Sequence, residues 1–211
     1  MYGVTGRGGA FELTQGSNGW TYMQLSTFGS TSTAGLTLDS LGNLYGEGNG
    51  GEKTDECGLT GCGRVFALHQ QPNGYWKQFT LYNFVGSEDG YHPSGGVTLH
   101  GSDLYGTTEA GGGNYCFGGC GTVFQLTHGT GKSVNEQIIH AFSENGTPGV
   151  FPVGGVVSDG RGDLFGVTEA RGTAEDGIIY GLKPQGNGQW DSRCCTPSWI
   201  RMESSRTPAS L

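Results

Sequence analysis

One tripeptide constrains this chain more than any other feature. Leu44-Tyr45-Gly46, Leu104-Tyr105-Gly106 and Leu164-Phe165-Gly166 recur every 60 residues, and Tyr2-Gly3-Val4-Thr5 has the form of the same element with its start removed. A fixed period of this length marks one supersecondary unit used several times, each copy covering the apolar face of its neighbour. Other segments keep the same step. Val65-Phe66-Ala67-Leu68 matches Val123-Phe124-Gln125-Leu126, with Ala10-Phe11-Glu12-Leu13 before them and Ile179-Tyr180-Gly181-Leu182 after them. A further series, Gly35-Leu36-Thr37-Leu38, Gly96-Val97-Thr98-Leu99 and Gly155-Val156-Val157-Ser158, stands just upstream of the tripeptide. All are short runs with alternating sides, the pattern of strands. Asp39-Ser40-Leu41-Gly42-Asn43 and Asp159-Gly160-Arg161-Gly162-Asp163 supply hairpin chemistry between two of these series. A fourth run, Trp76 to Phe84 or Glu136 to Phe142, closes the unit.

Composition points the same way. The chain holds 43 glycines in 211 residues, far above the usual share of about 7%, and they carry no collagen-like three-residue period. Glycine weakens helices and suits tight turns, so short strands joined by many turns are expected, and almost no helix. Each unit of roughly 55 to 60 residues then reads as four antiparallel strands, one blade of a β-propeller. A parallel β-helix would need a much shorter period, and a plain sandwich would not repeat itself so closely. The expected fold is therefore all-β, a partial β-propeller-like array of four-stranded antiparallel blades, about 3 to 4 in number.

The repeat domain is expected over residues 1–190, with blades at 1–33 (partial), 34–94, 95–153 and 154–190 (partial). Residues 191–211 are expected to form a non-repeat, disordered tail. After Trp190 the pattern asks for an aromatic strand and meets Cys194-Cys195-Thr196-Pro197 and a polar Ser/Arg stretch instead. Two readings of that break stand side by side: a genuine tail, or truncation or a shift of reading frame in a longer array.

The net charge of -8, with 11 Lys plus Arg and no basic cluster, offers no footprint for a phosphate backbone. Nucleic acid is not an expected partner. No apolar run approaches the roughly 20 residues that span a bilayer, so no transmembrane segment is expected, and the first residues lack the basic and apolar regions of a signal peptide.

The ordered set of motifs resembles the bacterial GloVer tandem repeat: Leu-Tyr-Gly-Thr-Thr, a Gly-rich loop, Gly-Thr-Val-Phe-x-Leu, an aromatic strand, then an Asp-Gly and Pro-containing loop. The best copy is Leu104-Tyr105-Gly106-Thr107-Thr108 with Gly121-Thr122-Val123-Phe124-Gln125-Leu126, and Asp89-Gly90-Tyr91-His92-Pro93 supplies a connecting loop. The resemblance covers residues 2 to 190. It implies a propeller-like protein, often exported and tethered at the cell surface, and no established activity. This chain departs from that pattern in showing neither an export signal nor an anchor.

Cys57 and Cys62, and Cys116 and Cys120, occupy the same loop of two units, just before the Val-Phe strand. Local disulfides, each stabilising by roughly 2 kcal/mol on the chain-entropy model, are the expected reading. A metal site is the alternative, but pairs in separate blades would lie far apart and no His stands at ligand spacing. Disulfides call for an oxidising compartment, in agreement with an extracellular or cell-surface location. The adjacent Cys194-Cys195 belongs with the anomalous tail. No metal or cofactor is implied.

In a propeller blade the loop between the second and third strands shares a face with the connection between blades. That face would gather Asp89, Tyr91, His92, Tyr115, Phe117 and Phe151, a candidate surface for a glycan or protein partner; the alternative is rings packed within their own loops. Glu109 and Glu169 hold equivalent positions, with Asn49 the counterpart in the first copy. A polysaccharide-acting hydrolase or lyase would need two carboxyls roughly 5 to 10 Å apart, which successive blades supply only near their axis. His69, His92, His100, His128 and His140 are scattered without a nucleophile or orienting acid beside them. Gly48-Asn49-Gly50-Gly51 and Gly111-Gly112-Gly113 precede strands, not helices, and read as turns. The expected function is a non-enzymatic extracellular or cell-surface module, binding or structural, with the extracellular enzyme as the alternative.

Overall fold

The computed structural model describes residues 1–27, 34–51, 53–55, 57–58, 61–86, 88–93, 95–113, 116, 118–129, 133–144, 149–170 and 177–194. Among them there is no α-helix, and none long and apolar enough to cross a membrane. The chain is all-β, in four antiparallel sheets. The first holds β1 (Tyr2–Thr5), β2 (Gly9–Gly16) and β3 (Gly19–Thr27). The second holds β4 (Thr37–Leu38), β5 (Leu44–Gly48), β6 (Arg64–Gln70) and β7 (Trp76–Asn83). In the third, β8 (Tyr91–Pro93) and β9 (Thr98–His100) both pair with β10 (Asp103–Ala110), which is followed by β11 (Thr122–His128) and β12 (Val134–Ala141). The fourth is β13 (Val150–Ser158), β14 (Leu164–Ala170), β15 (Ile179–Pro184) and β16 (Trp190–Cys194).

Register explains the tripeptide. Gly46 faces Phe66, Gly106 faces Phe124 and Gly166 faces Tyr180 across their strand pairs. A Cβ at any of the three glycines would overlap the partner's ring, so glycine lets the ring lie flat over the strand. The flanking leucines pair with leucines: Leu44 with Leu68, Leu104 with Leu126, Leu164 with Leu182. Strand alternation places these leucines and rings on the sheet face toward the preceding sheet, here called the back face.

Three core clusters follow from this, one at each successive pair of sheets. Phe66 and Leu68 pack with Ala10 and Leu25 of the first sheet. Phe124 and Leu126 pack with Val65 and Phe84 of the second. Tyr180 and Leu182 pack with Tyr105, Val123 and Phe142 of the third. Each fully buried phenylalanine contributes roughly 1.5–3 kcal/mol through the apolar area removed from water. Polar threads reinforce the stack: the Thr37 hydroxyl donates to the Val97 carbonyl, and Thr98 at the equivalent position donates to Val156. Gly95 lies against the backbone of Gly154 and Gly155 so closely that no Cβ fits.

Two expectations are corrected. Residues 91–93, placed at the end of the second unit, pair as β8 with the third sheet; likewise 150–153, placed in the third, open β13 of the fourth. The strand that begins each of these sheets starts upstream of the Gly-Gly turn, beyond the point where its apolar alternation becomes visible. The non-repeat tail does not begin at residue 191 either. Residues 190–194 form β16, with Asp191, Ser192 and Arg193 opposite Lys183, Leu182 and Gly181. An edge strand is held by backbone hydrogen bonds, so it needs no aromatic residues. Residues 195–211, Cys195 included, lie outside the described residues.

Candidate functional site

Asp89 closes the turn between the second and third sheets. Its carboxylate accepts the Val85 N–H at 3.0 Å, the Gly86 N–H at 3.0 Å and the Tyr82 hydroxyl at 2.7 Å. It is only 7% exposed. This residue, a binding candidate by sequence, spends its oxygens on its own turn. Burial, then the Asp89 hydrogen bond, raises the Tyr82 phenol above its usual range. Glu136 on β12 is pushed up to about 7, first by burial and then by the negative charge of Asp89.

Immediately downstream, β8 carries Tyr91 and His92, whose rings meet edge to face at 4.9 Å. The Tyr91 hydroxyl donates to the Gly118 carbonyl at 2.8 Å, reaching the second cysteine loop. The His92 N–H donates to the Cys62 carbonyl at 3.0 Å, and the Phe151 N–H donates to Cys120 at 2.8 Å. His92 (φ 57°) and Phe151 (φ 59°) are the non-glycine residues with positive φ among the described residues. Left-handed backbone at a bulky residue persists only where the surroundings over-determine it. Here each is followed by a proline, Pro93 or Pro152, whose ring packs on Gly63 or Gly121. The cysteines behind these clasps are joined, Cys57 to Cys62 and Cys116 to Cys120, with Cα separations of 4.9 and 5.1 Å.

The structure thus brings Tyr91 and His92 together with both cysteine loops, and Phe151 to the second loop. Tyr115 and Phe117 lie outside the described residues. Glu109 and Glu169 stand exposed on β10 and β14, in neighbouring sheets. Of the scattered histidines, His69 and His128 line one cleft with Tyr45, Leu104, Leu126 and Val134, about 100 Å³ in volume, between the second and third sheets. The Ser158 hydroxyl lies 3.2 Å from His100 Nδ1, but it also accepts the Gly160 N–H at 3.2 Å and so caps its own turn. Burial pushes His140 down to about 4, leaving it neutral at ordinary pH. Among the described residues no group of three or more His, Cys, Asp and Glu side chains has the arrangement to hold a metal ion.

Glu47 is the residue that sequence reasoning missed. It sits on β5, 1% exposed, and its Oε2 accepts the Gly96 N–H at 2.8 Å from the next sheet. Its Oε1 has no hydrogen-bond partner among the described residues. Burial pushes its carboxyl up to about 8, against the smaller opposing effect of the Gly96 and Gly95 N–H groups. The repeat held the signal. Thr107 and Val167 occupy the same position, and Thr107 likewise reaches the next sheet, donating to the Gly154 carbonyl at 2.8 Å. A carboxyl where the repeat elsewhere uses a hydroxyl or a methyl group is the anomaly.

Compared with protein-family models, curated proteins and solved structures, the chain matches none.

Proposed function

We propose that this chain is a GloVer-type, β-propeller-like repeat module that works outside the cell as a non-enzymatic binding scaffold, presenting its cysteine-loop edge to a glycan or protein. The observation that carries the reading is the repeated clasp, His92 on Cys62 and Phe151 on Cys120, each with a disulfide behind it. A local disulfide and a hydrogen bond from a left-handed residue of the next strand hold the cysteine that ends each loop, Cys62 or Cys120, in place before any ligand arrives, which lowers the cost of binding. The disulfides suit an oxidising compartment. Four antiparallel sheets stacked in succession support the propeller-like array.

The test is a broad glycan and peptide array probed with the full chain, oxidised, and with the Cys116→Ser/Cys120→Ser and Tyr91→Ala variants. The expected result is a ligand retained by the native chain, weakened in both variants, and released chemically unchanged. Absence of any ligand that depends on these residues defeats the binding reading. Turnover of a polysaccharide that stops in Glu109→Gln or Glu169→Gln would replace it with the enzymatic one.

A further inference from the structure

The repeat places tryptophan near the start of the strand that closes each sheet, with one exception. Trp20 stands opposite Gln15, Trp76 opposite Gln70 and Trp190 opposite Pro184, all at the equivalent register position. In the third sheet that position belongs to Val134, opposite His128. The tryptophan has a constant task where two sheets meet. Trp76 meets Tyr2 of the preceding sheet at 6.0 Å and Trp190 meets Tyr105 at 5.9 Å, both edge to face with 68° between the ring planes. Tyr45 is the corresponding tyrosine of the second sheet, and the residue the third sheet sets beside it, Val134, has no ring.

A small side chain where the packing is built for a large one leaves a void, because the surroundings relax only in part. The void is there: the cleft of about 100 Å³ between the second and third sheets is walled by Tyr45, Leu104, Leu126 and Val134. Leu104 and Leu126 are buried and form an apolar floor. The Tyr45 ring is tied back, since its hydroxyl donates to Asp39 Oδ2 at 3.0 Å and the same carboxylate accepts the Leu41 and Asn43 N–H groups. Two imidazoles complete the lining. The ring of His69 is steadied against Phe79 at 4.9 Å, and His128 is exposed, so the cleft opens to solvent. A wholly apolar hole of roughly 150 Å³ takes up benzene. This smaller, open one adds ring nitrogens that can donate or accept a hydrogen bond, which suits a single flat ring with an N–H or O–H on its edge.

We infer that the cleft between the second and third sheets is a binding site for one aromatic ring with a polar edge, an indole or a phenol, which takes the place that Trp76 and Trp190 take in the neighbouring interfaces and meets Tyr45 edge to face. Tyr45 lies near the start of β5, His69 and His128 near the ends of β6 and β11, and Val134 at the start of β12, whereas the cysteine loops follow the ends of β5 and β10. The cleft is therefore at the opposite ends of the strands from the cysteine-loop edge, and the two sites stand or fall separately.

Titration of the full oxidised chain with indole, followed by methyl NMR, tests this. Saturable shifts are expected at Leu104, Leu126 and Val134, with a dissociation constant of about 1 mM or tighter. Phenol should bind the same residues, and cyclohexanol, of similar size but without a π face, roughly two- to tenfold more weakly. Val134→Trp, checked for native far-UV circular dichroism, puts the repeat's own ring in the cleft and should weaken indole binding at least about tenfold. N-acetyltryptophanamide distinguishes the source of the ring: binding as tight as that of indole assigns the cleft to a tryptophan carried on a peptide, and binding of indole alone assigns it to a free small molecule. No saturation by about 10 mM indole, shifts that spare all three methyl-bearing residues, or cyclohexanol bound as well as phenol overturns the proposal. So does undiminished indole binding by a folded Val134→Trp, and if that variant does not fold, the shifts in the wild-type chain decide alone.

Discussion

Replacing Glu47 by Gln tests whether a carboxyl can be shut between two sheets at a cost the fold then carries. The carboxyl stands at about 8 in the fold against 4.5 for the free group. Its folded value is raised, so the fold keeps a proton that the unfolded chain has already released. Stability is therefore fully present below the unfolded value and declines as pH rises toward the folded one. The slope expected from this group alone is about 1.4 kcal/mol per pH unit, which accumulates to about 3 kcal/mol by pH 7. That is a large part of the 5–15 kcal/mol typical of a folded domain. Glutamine has nearly the same shape, its side-chain oxygen can still accept the Gly96 N–H, and it has no proton to lose. Urea denaturation of both proteins, disulfides intact, at intervals from pH 4 to pH 8 isolates the effect. The difference between the two curves should grow steadily in favour of Glu47→Gln and reach a shift in midpoint of roughly 1 M or more at pH 7. Parallel curves would refute the reasoning, because a carboxyl that ionises freely in the fold cannot be enclosed as described.

Three further outcomes are expected. Phe124→Ala removes a fully buried ring that meets Phe84 at 5.1 Å, and should lower stability by about 3–5 kcal/mol in denaturant titration; a loss under about 1 kcal/mol would mean the second and third sheets do not pack through it. Gly95→Ala pushes a methyl into the backbone of Gly154 and Gly155, whereas Gly6→Ala meets nothing within 4 Å; the first should cost about 1–3 kcal/mol in thermal unfolding and the second almost nothing. Cys116→Ser/Cys120→Ser should lower stability by roughly 2 kcal/mol, and non-reducing peptide mapping of the native chain should recover Cys57 linked to Cys62 and Cys116 to Cys120, with free thiols at all four positions contradicting both.

Much of the chain's order is local, and local order is legible in sequence. The Leu-Tyr-Gly and Val-Phe series, with their constant step, determine which residues become strands and which side of each strand is apolar, because strand alternation is a property of neighbouring residues. Cysteines four or five residues apart, such as Cys116 with Cys120, determine their own pairing, since a loop that short meets itself before anything else. Tertiary structure decided the rest. It drew residues 91–93 and 150–153 into the sheets that follow them and carried β16 on to Cys194, because backbone pairing extends a strand wherever an edge is free, whatever the side chains. It turned Asp89 inward to cap a turn, where the sequence suggested a surface contact. It enclosed Glu47, a residue indistinguishable by local pattern from an exposed glutamate, because enclosure depends on how closely the Gly95-Gly96 turn of the next sheet approaches. Burial and charge at any one residue are set by what the distant chain brings against it, and that is a quantity no window of sequence contains.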